Sequence, residues 1–335
     1  MTAHASNTMR RSRTQGVVCV NGPITPTEFD DVVMWAAWLY YADQKTQSEI
    51  AKTLGVSRAT IVNLLQEARE RGIVSVNISP AAGSRTSLAR GLMERYGLRG
   101  AFVIPGSDQQ HLVERLGDAG ARVLADMLVD GDVIGVAWGR TVLAAADRIT
   151  LPRPLSKLTV VQVSGSSTGE SDFSPEFCTS LLSNRIGARC VNLLAPAFLT
   201  SRELKAMLLA EPLLQKQMAL VHSSDHVLFG IGDIAPQSTV RVSGIATQDE
   251  INDYVNRGAV GVIIGRFIDE DGRPLGGDHD ERMVGITLNA LLNVKNRVCV
   301  AGGSTKVAAI RATLKAGFPT HFVTDVETAE TLLSG

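Results

Sequence analysis

Short, almost wholly apolar runs recur along most of this chain, and they constrain its fold more than any other feature. They are AFVIPG (101–106), DVIGVAWG (132–139), LTVVQVSG (158–165), RCVNLLAP (189–196), HVLFGIG (226–232), AVGVIIG (259–265), RVCVAGG (297–303) and HFVTD (321–325). A strand with one wet face alternates apolar and polar residues; these runs do not, so both of their faces are expected to be covered, as in a parallel sheet. Between them lie amphipathic stretches such as HLVERLGDAGARVLADML (111–128) and TKVAAIRATLKAG (305–317). Strands alternating with helices predict a doubly wound α/β domain over residues 87–335. Hydrophobic residues make up 44% of the chain and aromatics only 5%, so aliphatic packing must supply that core.

The first part of the chain reads differently. DDVVMWAAWLYYA (30–42) has helical periodicity with aspartates in its first turn, where the helix dipole favours them. In TQSEIAKTLGVSRATIVNLLQEARERGI (46–73), Thr46 and Glu49 form a T-x-x-E capping box. Gly55 suits a turn with positive φ, Ser57 caps a second helix, and Ile61, Leu64 and Leu65 fall on its inner face. GIVSVNI (72–78) alternates like the strand of a wing. Two readings fit: a helical hairpin used only for packing, or a winged helix-turn-helix. The spacing of the small, capping and aliphatic residues favours the second. Thr46, Gln47, Ser57, Arg58, Ala59, Thr60 and Asn63 are then the residues expected at DNA. Arg58 suits guanine or phosphate, and Asn63 suits adenine.

Charge does not add to this. The whole chain carries a formal net charge of −1, and between Asp30 and Ser79 the six acidic residues outnumber the five basic ones. Affinity for DNA must come from local placement, from an oligomer, and from the arm that carries Arg10, Arg11 and Arg13. Residues 1–27 are expected to be a disordered arm rather than a signal peptide, because Asn21, Gly22 and Pro23 interrupt the apolar part. Cys19, Cys178, Cys190 and Cys299 are scattered without a C-x-x-C, which speaks against a zinc knuckle or disulfide framework and for reduced, cytoplasmic thiols. No apolar run approaches the ~18 residues that span a bilayer.

Ligands of open α/β sheets sit beyond the carboxyl ends of the strands. Three glycine-containing loops fall there. In AWGRT (137–141), Gly139 admits close backbone approach, Thr141 offers a hydroxyl and the helix start offers N–H groups, a set suited to phosphate or carboxylate. Arg140 either adds charge or faces solvent. SGSSTG (164–169) offers Ser166 and Ser167, or is an ordinary loop; GGSTK (302–306) opens a further helix. Asp233, Asp269 and Asp278 are candidates to hold sugar hydroxyls, or are solvated loop carboxylates. Trp138 either walls the pocket or packs in the core. The long polar segment from Gly258 to Arg282 suggests a functional loop. No G-x-G-x-x-G or G-x-x-x-x-G-K-[ST] occurs, so no nucleotide cofactor is expected. His222 and His226 are four apart, but HSSDHVLFG runs into a strand, so no metal site is expected there.

YYADQKTQSEIAKTLGVSRATIVNLLQEARERGIV resembles the N-terminal domain of the SorC family of sugar-responsive bacterial transcriptional regulators. The likeness continues through GVAWGRTV, LLAPAF, LLAEP, GIGDI, GAVGVIIGRFIDEDGRPL and VAGGSTKVAAIRATL, and so covers nearly everything from Asp30 onward. It implies an effector domain similar in fold to sugar-phosphate isomerases and glucosamine-6-phosphate deaminase, binding a phosphorylated sugar or related metabolite and controlling a DNA-bound homo-oligomer. It places the phosphate loop at 137–141 and an effector-contacting lysine at Lys306. Val62 and Asn63 stand where members often have Ser-Arg, and Val262 stands where an acidic residue is common; operator and ligand should differ accordingly. TIVN and GAVGVIIG resemble the subgroup that regulates polyol use, such as erythritol catabolism.

The chain is therefore expected to carry a helix-turn-helix domain (28–79), a linker (80–86) and an effector domain (87–335). The expected function is a cytoplasmic, homo-oligomeric repressor of a carbohydrate or polyol operon, with operator DNA and a sugar-phosphate or polyol as its partners. The rival is a sugar-phosphate isomerase or deaminase fused to a DNA-binding module. It needs an organised acid–base pair that the sequence does not offer.

Overall fold

The computed structural model describes residues 31–74, 86–105, 111–167, 172–235, 238–242 and 246–334. The chain divides into two compact units, residues 1–77 and 78–335. The expected arm lies outside the described residues, as do the wing strand beyond residue 74 and the linker up to residue 85.

Among the described residues unit one holds three helices: α1 (Val32–Tyr41), α2 (Gln47–Leu54) and α3 (Arg58–Glu70). Asp31 caps α1, its carboxylate accepting from the Met34 N–H at 2.8 Å. That bond, and then the Arg71 guanidinium paired with the same carboxylate, hold Asp31 below the usual carboxylate range. The predicted capping box forms: the Glu49 N–H reaches Thr46 Oγ1 at 3.3 Å, and the Thr46 N–H reaches Glu49 Oε2 at 2.8 Å. Gly55 ends α2 at φ 69°. Ser57 Oγ accepts from the Thr60 N–H at 3.1 Å and starts α3. Ile50, Ala51 and Leu54 of α2 pack against Ile61 and Leu65 of α3 and against Ala36 and Leu39 of α1. Leu64 is half-buried beside them.

Unit two is built on a seven-stranded sheet among the described residues. Its strands are β1 (Gly100–Ile104), β2 (Val133–Val136), β3 (Thr159–Gln162), β4 (Arg189–Val191), β5 (His226–Phe229), β9 (Asn296–Val300) and β10 (His321–Asp325). All pair in parallel, in the order β1-β10-β9-β5-β2-β3-β4. One face is covered by an aliphatic cluster that includes Leu116, Leu124 and Val142; the other by one that includes Leu92, Ile310 and Leu332. The doubly wound expectation holds. From β2 the chain steps outward through β3 to β4; from β5 it steps the other way through β9 to β10. The order reverses between β2 and β5.

Among the described residues edge strand β1 pairs only with β10, Ala101 opposite Phe322 and Val103 opposite Thr324. Its approach helix α4 (Ser87–Tyr96) is tied to the last helix, α15 (Val326–Ser334). Arg95 donates to the Leu333 carbonyl at 2.7 Å and the Tyr96 hydroxyl to the Leu332 carbonyl at 3.2 Å.

One apolar run does not join this sheet. AVGVIIG contributes β7 (Gly261–Ile263), which pairs antiparallel with β6 (Ile231–Gly232) and with β8 (Arg266–Ile268) in a small second sheet. Ile264 and Gly265 form the two-residue turn between β7 and β8, at φ 48° and 78°. The polar segment expected to be a long functional loop is therefore a hairpin followed by a tight turn. Asp269 Oδ1 accepts from the N–H groups of Asp271 (3.0 Å) and Arg273 (2.8 Å), and Arg266 of β8 is buried against Asp280.

Candidate functional site

The DNA-reading residues come first along the chain. Ser57, Arg58, Ala59 and Asn63 are exposed on the first turns of α3, and Thr60 is half-buried. Thr46 and Ser57 use their hydroxyls to cap α2 and α3. Arg58 Nε donates to Gln47 Oε1 at 3.2 Å, so Gln47 orients the guanidinium while leaving its outer N–H groups open. Exposed Val62 lies on the same helix.

In unit two a cavity of about 180 Å³ opens where the strand order reverses, the place where open α/β sheets bind ligands. Residues following β2 and β5 line it: Ala137, Trp138 and Gly139 from one, Gly230, Ile231 and Asp233 from the other. Gly139, at φ 122°, ends the strand and starts α6 (Arg140–Arg148) without a side-chain cap. The first N–H groups of a helix lack intrahelical acceptors, so this end presents donors and a positive dipole. Burial pushes the Cys178 thiol up to about 12. That thiol stays protonated and is no nucleophile.

Lys306 enters from a 3-10 turn (Ser304–Lys306) that leads into α14 (Val307–Lys315). Its ammonium donates to the Ile231 carbonyl at 2.7 Å. Burial holds Lys306 below the usual lysine value; the Asp233 carboxylate opposes that shift and the Arg140 guanidinium adds to it. Asp233 Oδ1 accepts from the Ala235 N–H at 3.0 Å. Thr141 donates its proton to the Val300 carbonyl at 2.9 Å, so toward the cavity it can act only as an acceptor. Among the described lining residues two cations, Arg140 and Lys306, therefore face one carboxylate, Asp233. With the helix dipole added, the cavity suits an anion.

Of the expected effector residues, Gly139, Arg140, Thr141, Asp233 and Lys306 are brought together here. Ser166, Ser167 and Asp269 are not among the lining residues. The backbone of Ser166 is bonded to Ala195 and Ala197, and its hydroxyl accepts from Gln162 at 3.3 Å. Asp269 shapes its own turn. Exposed Asp278 pairs with Arg282 at 2.6 Å. His222 closes a helix, while buried His226 pairs with Asp132 at 2.9 Å. Trp138 lines the cavity, as one of its two readings had it. Sequence reasoning missed Leu112, Leu116, Val240, Ile264 and Thr305, four of them aliphatic residues that read simply as core. Val262 lines the cavity too, and no carboxylate stands there.

One pH dependence follows from the Lys306 geometry. Anion affinity should fall as pH rises through the lowered lysine pKa, earlier in the alkaline range than for an ordinary lysine. Titrating inorganic phosphate binding against pH checks this. Lys306→Arg should flatten the profile, because an arginine keeps its charge; an unchanged profile would remove Lys306 from the anion site.

Residues 80–334 match the Sugar-bind family, described as "Putative sugar-binding domain". The crystal structure of the full-length sorbitol operon regulator SorC from Klebsiella pneumoniae superposes with a TM-score of 0.71 at 28% identity, covering 91% of this chain and 99% of that one. The chain belongs to the SorC family. Two further relatives of this SorC-family chain bear regulator names. The "Uncharacterized transcriptional regulator YjhU" of Escherichia coli K12 is 32% identical over 91% of this chain and 95% of its own length. The erythritol catabolism regulatory protein EryD of Brucella abortus is 29% identical over 91% and 96%. These relatives and structural neighbours are regulators rather than enzymes, and this SorC-family chain is a sugar-responsive transcriptional regulator. Among the described residues no helix is long and apolar enough to cross a membrane.

Proposed function

We propose that the chain is a cytoplasmic, homo-oligomeric repressor of a carbohydrate or polyol catabolic operon. Its α3 reads the operator through Arg58 and Asn63, and a phosphorylated sugar or polyol in the cavity governs operator occupancy. The observation that carries the effector half is the pairing of an uncapped helix N-terminus with Arg140 and Lys306 around one carboxylate. Phosphate takes the helix end and the cations. Asp233 takes a hydroxyl. For the DNA half, the support is an exposed, doubly capped helix pair with its guanidinium already oriented.

An effector shifts occupancy only by its differential affinity for two states, commonly ~1–3 kcal/mol or roughly five- to 150-fold. The test is anisotropy of a labelled fragment from the promoter beside the chain's own gene, with erythritol 4-phosphate, other sugar phosphates and free polyols added in turn. The wild type should bind the fragment and release it with at least one phosphorylated compound. Lys306→Ala should bind the fragment equally well and lose most of that release. Release by free polyols alone would overturn the phosphorylated assignment. Tighter binding on addition would turn repressor into effector-dependent binder.

A further inference from the structure

Most side chains of α3 are already committed within unit one. From Arg58 to Asn63 the helix carries a guanidinium and no carboxylate; from Gln66 onward it carries Glu67 and Glu70. Glu67 pairs with Arg71 at 3.3 Å, and Glu70 accepts from the Gln66 amide at 3.1 Å. Phosphates repel carboxylates, so DNA can come close only to the first two turns, the end that meets base edges in a helix-turn-helix. There Ser57 Oγ accepts from the Thr60 N–H at 3.1 Å and lies 2.9 Å from the Thr60 hydroxyl, which ties both residues to the helix cap. Ile61 is buried in the core of the unit. Arg58, Ala59, Val62 and Asn63 remain, all of them exposed.

Two of those four are apolar. Val62 is the one large apolar side chain exposed on α3, at 45%. Ala59, three residues earlier, is its neighbour on the helix surface. Valine forms helix less readily than alanine, so helix stability does not account for it. Its branched side chain keeps essentially one χ1 rotamer in a helix, which holds two methyl groups in a fixed place with little entropy left to lose. Among the groups that distinguish base pairs in the major groove, one is apolar, the C5 methyl group of thymine; the others donate or accept hydrogen bonds. A donor or acceptor pressed against Val62 and Ala59 would lose its water and gain no partner.

We propose that Val62, backed by Ala59, is a specificity-determining residue that packs on the C5 methyl group of a thymine in each operator half-site, alongside the polar contacts of Arg58 and Asn63. This rests on the assignment of α3 to the operator made above. It names the base that the apolar part of the helix selects.

The full chain first selects its preferred duplexes from a random pool, which defines the half-site. Each thymine of that half-site is then replaced in turn by deoxyuridine. The replacement removes the methyl group and keeps every hydrogen-bonding group, and binding is read by anisotropy. One replacement per half-site should weaken wild-type binding roughly three- to fivefold, the worth of one buried methyl group. Made in both half-sites of a duplex, it should cost roughly ten- to 25-fold. For Val62→Ala the same single replacement should cost less than about 1.5-fold, because the methyl group has lost its partner. The melting temperature of that variant should be unchanged or slightly higher. Val62→Ser should remove the deoxyuridine effect as well, whereas Arg58→Ala should weaken binding and keep it.

A selected half-site without thymine overturns the methyl contact, as does one in which no deoxyuridine weakens wild-type binding. A deoxyuridine effect that survives undiminished in Val62→Ala and Val62→Ser overturns it too. In each of these cases the assignment of α3 stands if Arg58→Ala still weakens binding. Should the pool yield no preferred duplex, or Arg58→Ala bind every duplex as tightly as the wild type, the assignment itself falls, and the methyl contact with it.

Discussion

Arg58→Ala is expected to lose about 1–3 kcal/mol of operator affinity per half-site, roughly five- to 150-fold each. The side chain is exposed near the start of α3 and is braced at Nε by Gln47. Its terminal N–H groups are therefore presented outward with little rotamer freedom left to lose. Because it carries no core packing, the melting temperature should move little, and ligand titrations should match the wild type. Anisotropy against operator variants separates two modes of contact. A base contact relaxes discrimination at one position; a phosphate contact weakens all sequences alike and lowers the salt slope by about one. Undiminished binding by the variant would remove α3 as the reading helix. Gln47→Ala should reproduce a smaller part of the loss, since it frees the guanidinium without removing it.

The largest stability effect is expected for Asp280→Ala. Arg266 has a side chain 2% exposed and pairs with Asp280 Oδ1 at 2.5 Å. Its Nε donates to the Ile286 carbonyl at 3.0 Å, while Nη2 has no partner among the described residues. Removing Asp280 leaves a buried guanidinium without its counter-charge. Breaking such a pair from one side costs about 3–5 kcal/mol, and for a domain of this size each kcal/mol lowers the melting temperature by roughly 2–4 °C. Calorimetry of the variant reads it directly. A drop of a degree or less would mean that the guanidinium is solvated rather than buried. The double variant Arg266→Leu with Asp280→Ala should recover much of the loss, because it removes the stranded charge.

How much of this was legible depends on how local each signal is. The helix pair is written in residues three or four apart: Thr46 with Glu49, Ser57 with Thr60, Gly55 between them. Their meaning does not wait for the rest of the chain. The parallel strands were legible because unbroken apolar runs have few alternatives. AVGVIIG was misplaced for the same reason, since a run of aliphatics does not state which partner it finds or in which direction. Asp269 looked like a ligand group because polar loops carry such groups, but its carboxylate bonds its own backbone two and four residues on. Ser166 was read from the composition of its loop, whereas its backbone is set by a bridge to Pro196, distant in sequence. Some aliphatic lining residues were invisible because Val240 and Ile264 are indistinguishable from core until the fold brings them to the cavity.

The pairing of β1 with β10, its one strand neighbour among the described residues, has a bearing on how the chain is made. Synthesis delivers β1 early and that neighbour more than two hundred residues later. On the ribosome the three short helices of residues 31–74 have every contact of their own core at hand, whereas the effector sheet has to keep an unsatisfied border until residue 325 has emerged. Premature termination after unit one but before His321 would therefore release a product whose reading head can form while its sensor stays open-edged and prone to pair with other chains.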